Sequence, residues 1–279
     1  MTSGDVRIGT SGWVYPPWRG VFYPPKLPQR RELEYLSRRL RAVEINGSFY
    51  SLQRPASYLN WAAQTPDDFV FTVKGPRFIT HMKKLRGADV LLANFFASGV
   101  LALGAKLGPI LWQLPPTFRF DADVLAEFFA ALPRDTEAAS AVAARHDERL
   151  EGRAHTVTDA MRPVRYALEV RHASFAVAEF TDLLTKHDVA CVVADSAGQW
   201  PYFEQRTARD LVYVRLHGDA ELYTSGYTDE ALEAWAAKIR RWRQSGDVYC
   251  FFDNDVKVRA PADAQKLELC LGRHSPKLD

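Results

Sequence analysis

The chain has 279 residues, 47% of them hydrophobic and 25% charged. That is the balance of a folded domain, and it excludes disorder over most of the length. Against 36 Lys and Arg stand 34 Asp and Glu, so the net charge is 36 − 34 = +2, which excludes a strongly basic nucleic-acid coat protein but not a local basic cleft.

Short apolar, β-rich runs predict strands at 6–9, 42–45, 70–73, 108–113, 166–170, 190–194, 211–216 and 248–252. Segments with helical spacing lie between them, at 29–39, 57–64, 90–107, 121–132, 176–187, 229–245 and 262–271. The last long one places Leu232, Trp235, Ile239 and Trp242 three to four apart, with Arg and Lys between them, the stripe of an amphipathic helix. Asp121 and Thr228 stand where helix caps belong. The stretch 133–165 is the least strand-like: its 138–144 run favours helix, and the charged 145–153 run reads as a solvated face or loop.

Strand–helix alternation repeated about eight times, with continuous apolar strands, points to a parallel sheet clothed in helices, and this length fits a single-domain TIM (β/α)8 barrel. A doubly wound open sheet is the runner-up, but no Gly-x-Gly-x-x-Gly follows any strand. A chain this long buries roughly three quarters of its unfolded surface and needs no disulfide or metal staple. Cys191, Cys250 and Cys270 are odd in number and widely spaced, so they are expected to be buried free thiols. The first residues lack the apolar core of a secretory signal. The uncharged run 90–105 is interrupted by Asn94, Ser98, Gly99 and Gly104 and falls short of a membrane span of about 20 apolar residues. A cytoplasmic protein with no membrane partner is expected; a monomer is favoured.

A barrel carries its active site at the C-terminal ends of its strands. Polar residues gather there: Glu44 and Asn46, Thr72 and Lys74, Gln113, then Glu169, Arg171 and His172, Asp195, Arg215 and His217, and Asp253 with Asn254. Burying such charges costs several kcal/mol before partners are counted, so a functional purpose is the stronger reading. Four acids and three fixed cations suit a metal cluster poorly, and no metal-ligand spacing is present. No cofactor is called for, and a single weakly held divalent metal stays open. Forked arginine donors suit phosphate or carboxylate. Carboxyls in unlike surroundings can act as an acid–base pair. Glu44, Glu169, His217 and Asp253 are therefore the catalytic candidates, and Lys74, Arg171 and Arg215 the anion-binding ones. Lys74 could instead be a Schiff-base nucleophile or a salt-bridge partner. Asn46, Gln113, His172, Asp195 and Asn254 complete the polar substrate-binding set.

The loop after the first strand holds Trp13, Tyr15, Trp18, Phe22 and Tyr23 among four prolines, and later loops add Phe49, Tyr50, Trp200, Tyr202, Tyr223 and Tyr227. Two readings stand equal, a lid packed on the barrel rim and a stacking platform for a ring. Trp13, Tyr15, Tyr50 and Tyr223 are the stacking candidates. Backbone donors between Gly9 and Gly12 could hold an anion.

Taken together, Ile8-Gly-Thr-Ser-Gly-Trp13, Phe22-Tyr-Pro24, Val43-Glu-Ile-Asn-Gly-Ser-Phe-Tyr50, Phe71-Thr-Val-Lys74 with Thr80-His81, Gln113-Leu-Pro115, Ala167-Leu-Glu-Val-Arg-His172, Tyr213-Val-Arg-Leu-His-Gly218 and Phe251-Phe-Asp-Asn254 resemble the YecE-like family, domain of unknown function 72. The resemblance runs from about residue 6 to residue 271. It implies a TIM barrel and supplies no reaction. The family's barrel is similar to those of xylose isomerase-like proteins and apurinic-site endonucleases, whose histidine-rich metal ligands are lacking here. Gly47 stands where the family often has a small polar residue, and Asp263 where asparagine is expected. Three functions follow: an enzyme (hydrolase, lyase or isomerase) acting on an anionic, ring-bearing molecule such as a phosphorylated compound or nucleotide; a protein binding or repairing single-stranded nucleic acid; and a non-catalytic metabolite-binding barrel. The basic runs Arg30-Arg31, 38–41 and 238–243 read as solvated helix faces.

Overall fold

Eight strands form a closed barrel in sequence order: β1 Val6–Ser11, β2 Ala42–Ile45, β3 Val70–Lys74, β4 Leu107–Gln113, β5 Tyr166–Glu169, β6 Ala190–Asp195, β7 Leu211–Leu216 and β8 Asp247–Phe252. This is the TIM-barrel class expected from the alternation. The coordinates are those of a computed structural model that describes residues 3–272. Two compact units can be distinguished: one is the chain up to Glu44, Thr65–Val70 and the chain from Ala190 on; the other is Ile45–Gln64 and Phe71–Val189.

In the first unit, β1 pairs in parallel with β2, setting Ser11 opposite Glu44, and with β8. Strand β7 lies between β6 and β8, with Arg215 opposite Ala194 on one side and Phe251 on the other. The helices here are α1 Glu32–Ser37, α8 Asp229–Trp242 and α9 Ala260–Cys270. Helix α8 has the predicted cap, since Thr228 Oγ1 accepts from Ala231 N at 3.1 Å. Asp229 and Glu230 in its first turn and Arg240 and Arg241 in its last complement the helix dipole. Its buried face is Leu232, Trp235, Ala236, Ile239 and Trp242. The segment expected as one helix over 29–39 is shorter: a 3-10 turn Gln29–Arg31 follows Pro28 and leads into α1, which stops at Ser37. In the loop after β1, Trp18 is fully buried and packs against Tyr15, Phe22 and Tyr23. For these residues the packed-lid reading holds.

In the second unit, β3 pairs with β4 and β4 with β5, all parallel. Its helices are α2 Gly47–Tyr50, α3 Pro55–Ala63, α4 Asp89–Ala97, α5 Ala122–Ala131, α6 Thr136–Ala143 and α7 Ala178–Lys186. Asp121 caps α5 as predicted, accepting from Val124 N at 3.1 Å. The helix expected over 90–107 is broken. Gly99 takes φ +117°, and a Cβ there would lie 2.6 Å from the Pro55 Cα, so α4 ends and a 3-10 segment Val100–Lys106 follows. The 138–144 run is helical within α6, whose start Asp135 caps by accepting from Ala138 N at 2.7 Å. Trp112 anchors the core between Phe95 and Phe128. Cys191 and Cys250 are buried free thiols as expected, but Cys270, on the outward side of α9, is only half-buried.

No single helix among the described residues is long and apolar enough to cross a membrane. The bent pair Asp89–Ala97 and Val100–Lys106 satisfies length and composition only when taken together.

Candidate functional site

The predicted strand-end residues form two clusters, one in each unit. The first is built around Arg215. Alternation along β7 turns Tyr213 and Arg215 to the same face, and both reach Glu44. The Tyr213 hydroxyl donates to Glu44 Oε2 at 2.6 Å and Arg215 Nη2 to Oε1 at 2.9 Å. The same Nη2 lies 3.2 Å from Ser11 Oγ and 3.0 Å from Asp253 Oδ2. Glu44 and Arg215 are fully buried. Arg215 is therefore clamped between two carboxylates, which gives it a structural duty beside the anion-binding role expected for it. His217, also fully buried, places Nδ1 3.1 Å from Asp253 Oδ2. The edges of Trp200 and Tyr223 close on the His217 ring at 5.1 and 5.5 Å between centroids.

Two residues past Asp253 stands Asp255, which the sequence reading passed over. Burial pushes its carboxyl well above the usual range; repulsion from Asp253 adds to this, while Tyr15 and Arg215 oppose it. Its Oδ1 is shielded from solvent and meets no hydrogen-bond partner among the described residues. Tyr15, the neighbour named above, donates its phenol proton to the Ser11 carbonyl and is itself pushed upward by burial and by Asp255 and Asp253.

Three other predicted residues brace this cluster. Tyr227 donates to Asp195 Oδ2 at 3.1 Å and accepts from Gly218 N at 3.1 Å. Burial raises the Asp195 carboxyl, partly offset by this bond. Asn254 Nδ2 donates to Ser225 O at 2.9 Å and to Asp263 Oδ2 at 2.8 Å. Trp13 is half-buried, and its carbonyl accepts from Tyr23 at 2.6 Å. The anion nest suggested between Gly9 and Gly12 is not available as drawn, because Gly12 N bonds the Thr10 carbonyl at 3.1 Å. Tyr202 belongs to the outer face of α8, where its hydroxyl accepts from Lys238 at 2.8 Å.

The second cluster gathers at the ends of β3 and β5. Arg171 holds Glu169 Oε1 with Nε at 2.8 Å and Nη2 at 2.7 Å, and Glu169 is fully buried. Lys74, 8% exposed, sets its ammonium 4.3 Å from the centre of the Phe49 ring. His81 meets the same ring edge to face at 5.1 Å and shares Nδ1 with Thr80 Oγ1 at 2.8 Å. Burial first, then Lys74, Arg171 and Arg77, drive the His81 imidazole down to about 4. Gln113 is buried and donates to the Leu114 carbonyl at 3.0 Å. Asn46 ends β2, and its Oδ1 is buried without a partner among the described residues. His172 turns back to its own chain, capping the turn Ala173–Phe175 by accepting from Ser174 N at 3.0 Å. Tyr50 is 71% exposed against Phe49.

Among the described residues no group of three or more His, Cys, Asp or Glu is placed to hold a metal ion. The run at 30–31 lies in a 3-10 turn and that at 238–243 on α8 and its C-terminal end, whereas 38–41 follows the end of α1; Arg31 and Arg38 are matched by Glu34, Arg240 by Glu233, and Arg241 and Lys238 by Glu204.

Residues 7–278 match the profile of a family described as a protein of unknown function, DUF72. The UPF0759 protein YecE of Escherichia coli K12 is 26% identical over 277 residues, covering 92% of this chain and 89% of YecE. A solved DUF72 family protein of Thermotoga maritima is 27% identical with a TM-score of 0.75, covering 96% of this chain and 100% of that one. Another, from Enterococcus faecalis, has a TM-score of 0.73 at 16% identity over 98% of this chain and 97% of that one, a likeness of fold.

Proposed function

This chain belongs to the DUF72 family of proteins of unknown function, and from its own strand-end residues we infer an enzyme that acts on a small anionic, ring-bearing molecule, phosphorylated or nucleotide-like, by acid–base chemistry. One observation carries the reading. Asp253 and Asp255 stand two residues apart after β8, the first ion-paired to Arg215 at 3.0 Å and the second pushed upward by burial and by its neighbour. Two carboxyls in surroundings as unlike as these are what an acid–base pair requires near neutrality. In the second cluster, buried Lys74 and the partly shielded Arg171 offer an anion positive surroundings; in the first, Trp200 and Tyr223 offer flat faces to a ring. Pairing of the surface basic runs with Glu34, Glu204 and Glu233 favours a small molecule over a nucleic-acid strand. Free thiols suit a reducing compartment, and a cytoplasmic location is part of this reading.

The test is a turnover screen of phosphate monoesters, sugar phosphates and nucleotides, with products followed by NMR. For a substrate found in this way, Asp255→Asn is expected to lower kcat at least a hundredfold with KM within about threefold, the size of a lost general acid. Wild-type kcat/KM should fall as pH rises through the Asp255 titration. An Asp255→Asn enzyme with full kcat removes the proposed acid.

A further inference from the structure

We propose that Lys74, Arg171 and His81 form the subsite for a tetrahedral oxyanion, a phosphoryl group, and that His81 takes up a proton through Nε2 when the anion binds. The proposal rests on the anionic-substrate reading above and names the class of anion.

Geometry comes first. His81 sits in a single π-helical turn, Phe78–Met82, a rare conformation that recurs at functional sites. One imidazole nitrogen is committed, since Nδ1 lies 2.8 Å from Thr80 Oγ1. In either tautomer Nε2 is the atom left to meet a ligand. The Phe49 ring is shared by His81 and by the Lys74 ammonium, at 5.1 and 4.3 Å from its centre. The Lys74 backbone is pinned by Ser48, whose hydroxyl donates to the Lys74 carbonyl at 2.6 Å. Arg171 is held in place by Glu169 at 2.7 Å.

Charge decides the class. The groups that act on His81 are Lys74 from β3, Arg171 after β5, and Arg77 from its own turn, all cationic. Thr80 and Phe49 are neutral, and the acid Glu169 is bonded to Arg171. Burial first and then these cations disfavour the protonated imidazole. An incoming dianion offsets them, and the imidazole can then accept a proton from solvent. No covalent bond forms or breaks; one proton passes from water to Nε2. A monoanionic carboxylate offsets less charge and gives the proton less reason to move. The built-in response therefore fits a dianionic phosphoryl group.

The experiment follows the His81 imidazole by NMR across pH in the full-length protein, using His81→Gln to assign its signal. Titrations are run alone, with inorganic phosphate, with non-titrating sulfate, and with glucuronate as a carboxylate of sugar shape. Phosphate and sulfate are each expected to raise the His81 midpoint by at least one pH unit, a tenfold gain in proton affinity. Calorimetry in buffers of different ionisation enthalpy should show proton uptake with sulfate, lost in His81→Gln. Lys74→Met should weaken phosphate at least tenfold and raise the His81 midpoint without any ligand, with an unchanged circular dichroism spectrum as the control for folding. If glucuronate binds and phosphate does not, the phosphoryl subsite is wrong while the anionic-substrate reading survives. If no anion binds, both fall. If phosphate binds with the His81 midpoint unmoved, the proton-uptake role is overturned.

Discussion

Replacing Arg215 by Met separates an arginine that holds the barrel together from one that grips a ligand. Both Arg215 and Glu44 are fully buried, and their charged atoms are 2.9 Å apart. Removing the cation leaves Glu44 buried with the neutral Tyr213 hydroxyl at 2.6 Å as its donor among the described residues. Breaking a buried pair from one side costs about 3–5 kcal/mol. Asp253 retains some solvent access at 19% exposure, so losing its bond to Arg215 adds at most about 1 kcal/mol. The melting temperature should fall on the order of 10 °C for this size of chain. Adding Glu44→Gln removes the stranded charge while keeping an acceptor for Tyr213, so the double variant should recover at least half of the loss. Urea unfolding followed by circular dichroism, run as a double-mutant cycle, measures the coupling. A loss below about 1 kcal/mol for Arg215→Met, or a double variant no better than the single one, refutes the clamp and returns Arg215 to the ligand-binding set.

Asp255→Asn should change the pH dependence of stability. A carboxyl whose folded pKa lies above its unfolded value holds its proton longer in the native state, so its contribution is fully present in acid and is lost as pH rises. The variant should therefore melt higher than wild type at pH 8, with the difference closing towards pH 4; a constant difference across that range contradicts the raised titration. Gly99→Ala meets both a φ of +117° and a Cβ site 2.6 Å from the Pro55 Cα, whereas Gly87, at φ +59°, has open space around it. Thermal melts should show Gly87→Ala losing only the conformational cost of about 1 kcal/mol and Gly99→Ala clearly more. Equal losses would mean the close approach to Pro55 is not constraining.

Local physics explains what the sequence revealed. The strands β2 and β7 match their predicted bounds to the residue because each is a continuous apolar run ending at a charge or a turn. The helix expected over 90–107 failed because its break depends on the approach of Pro55, more than forty positions away along the chain. Arg215 was legible as a strand-end cation but not as a clamped one, since its partner Glu44 is 171 positions distant and the pairing exists only after β1, β2 and β7 are assembled. Asp255 was missed because the acids and lysine around it look like an exposed turn, and only its surroundings shield its Oδ1. His81 was visible within a family motif, but a five-residue π-helical turn leaves no periodic trace.

The aspartate at position 263, where the family resemblance leads one to expect asparagine, follows from the same logic. Its Oδ2 accepts from Tyr227 N at 3.1 Å and from Asn254 Nδ2 at 2.8 Å, so both neighbours are donors. A carboxylate accepts at every oxygen, whereas an asparagine would bring a further donor to a place that already has two. The arrangement has a cost: burial raises the Asp263 carboxyl, and the bonds from Asn254 and Tyr227 counter it. What it secures is the loop after β7. Asn254 also holds Ser225 O, and Tyr227 carries the connection on to Asp195 and Gly218. Tyr223, in the left-handed region at φ +61°, is thereby kept on the edge of His217 at 5.5 Å. Asn254, Asp195 and Asp263 thus brace this loop, while the groups to which the proposals above assign a proton are the less fully matched ones, Asp255 and His81.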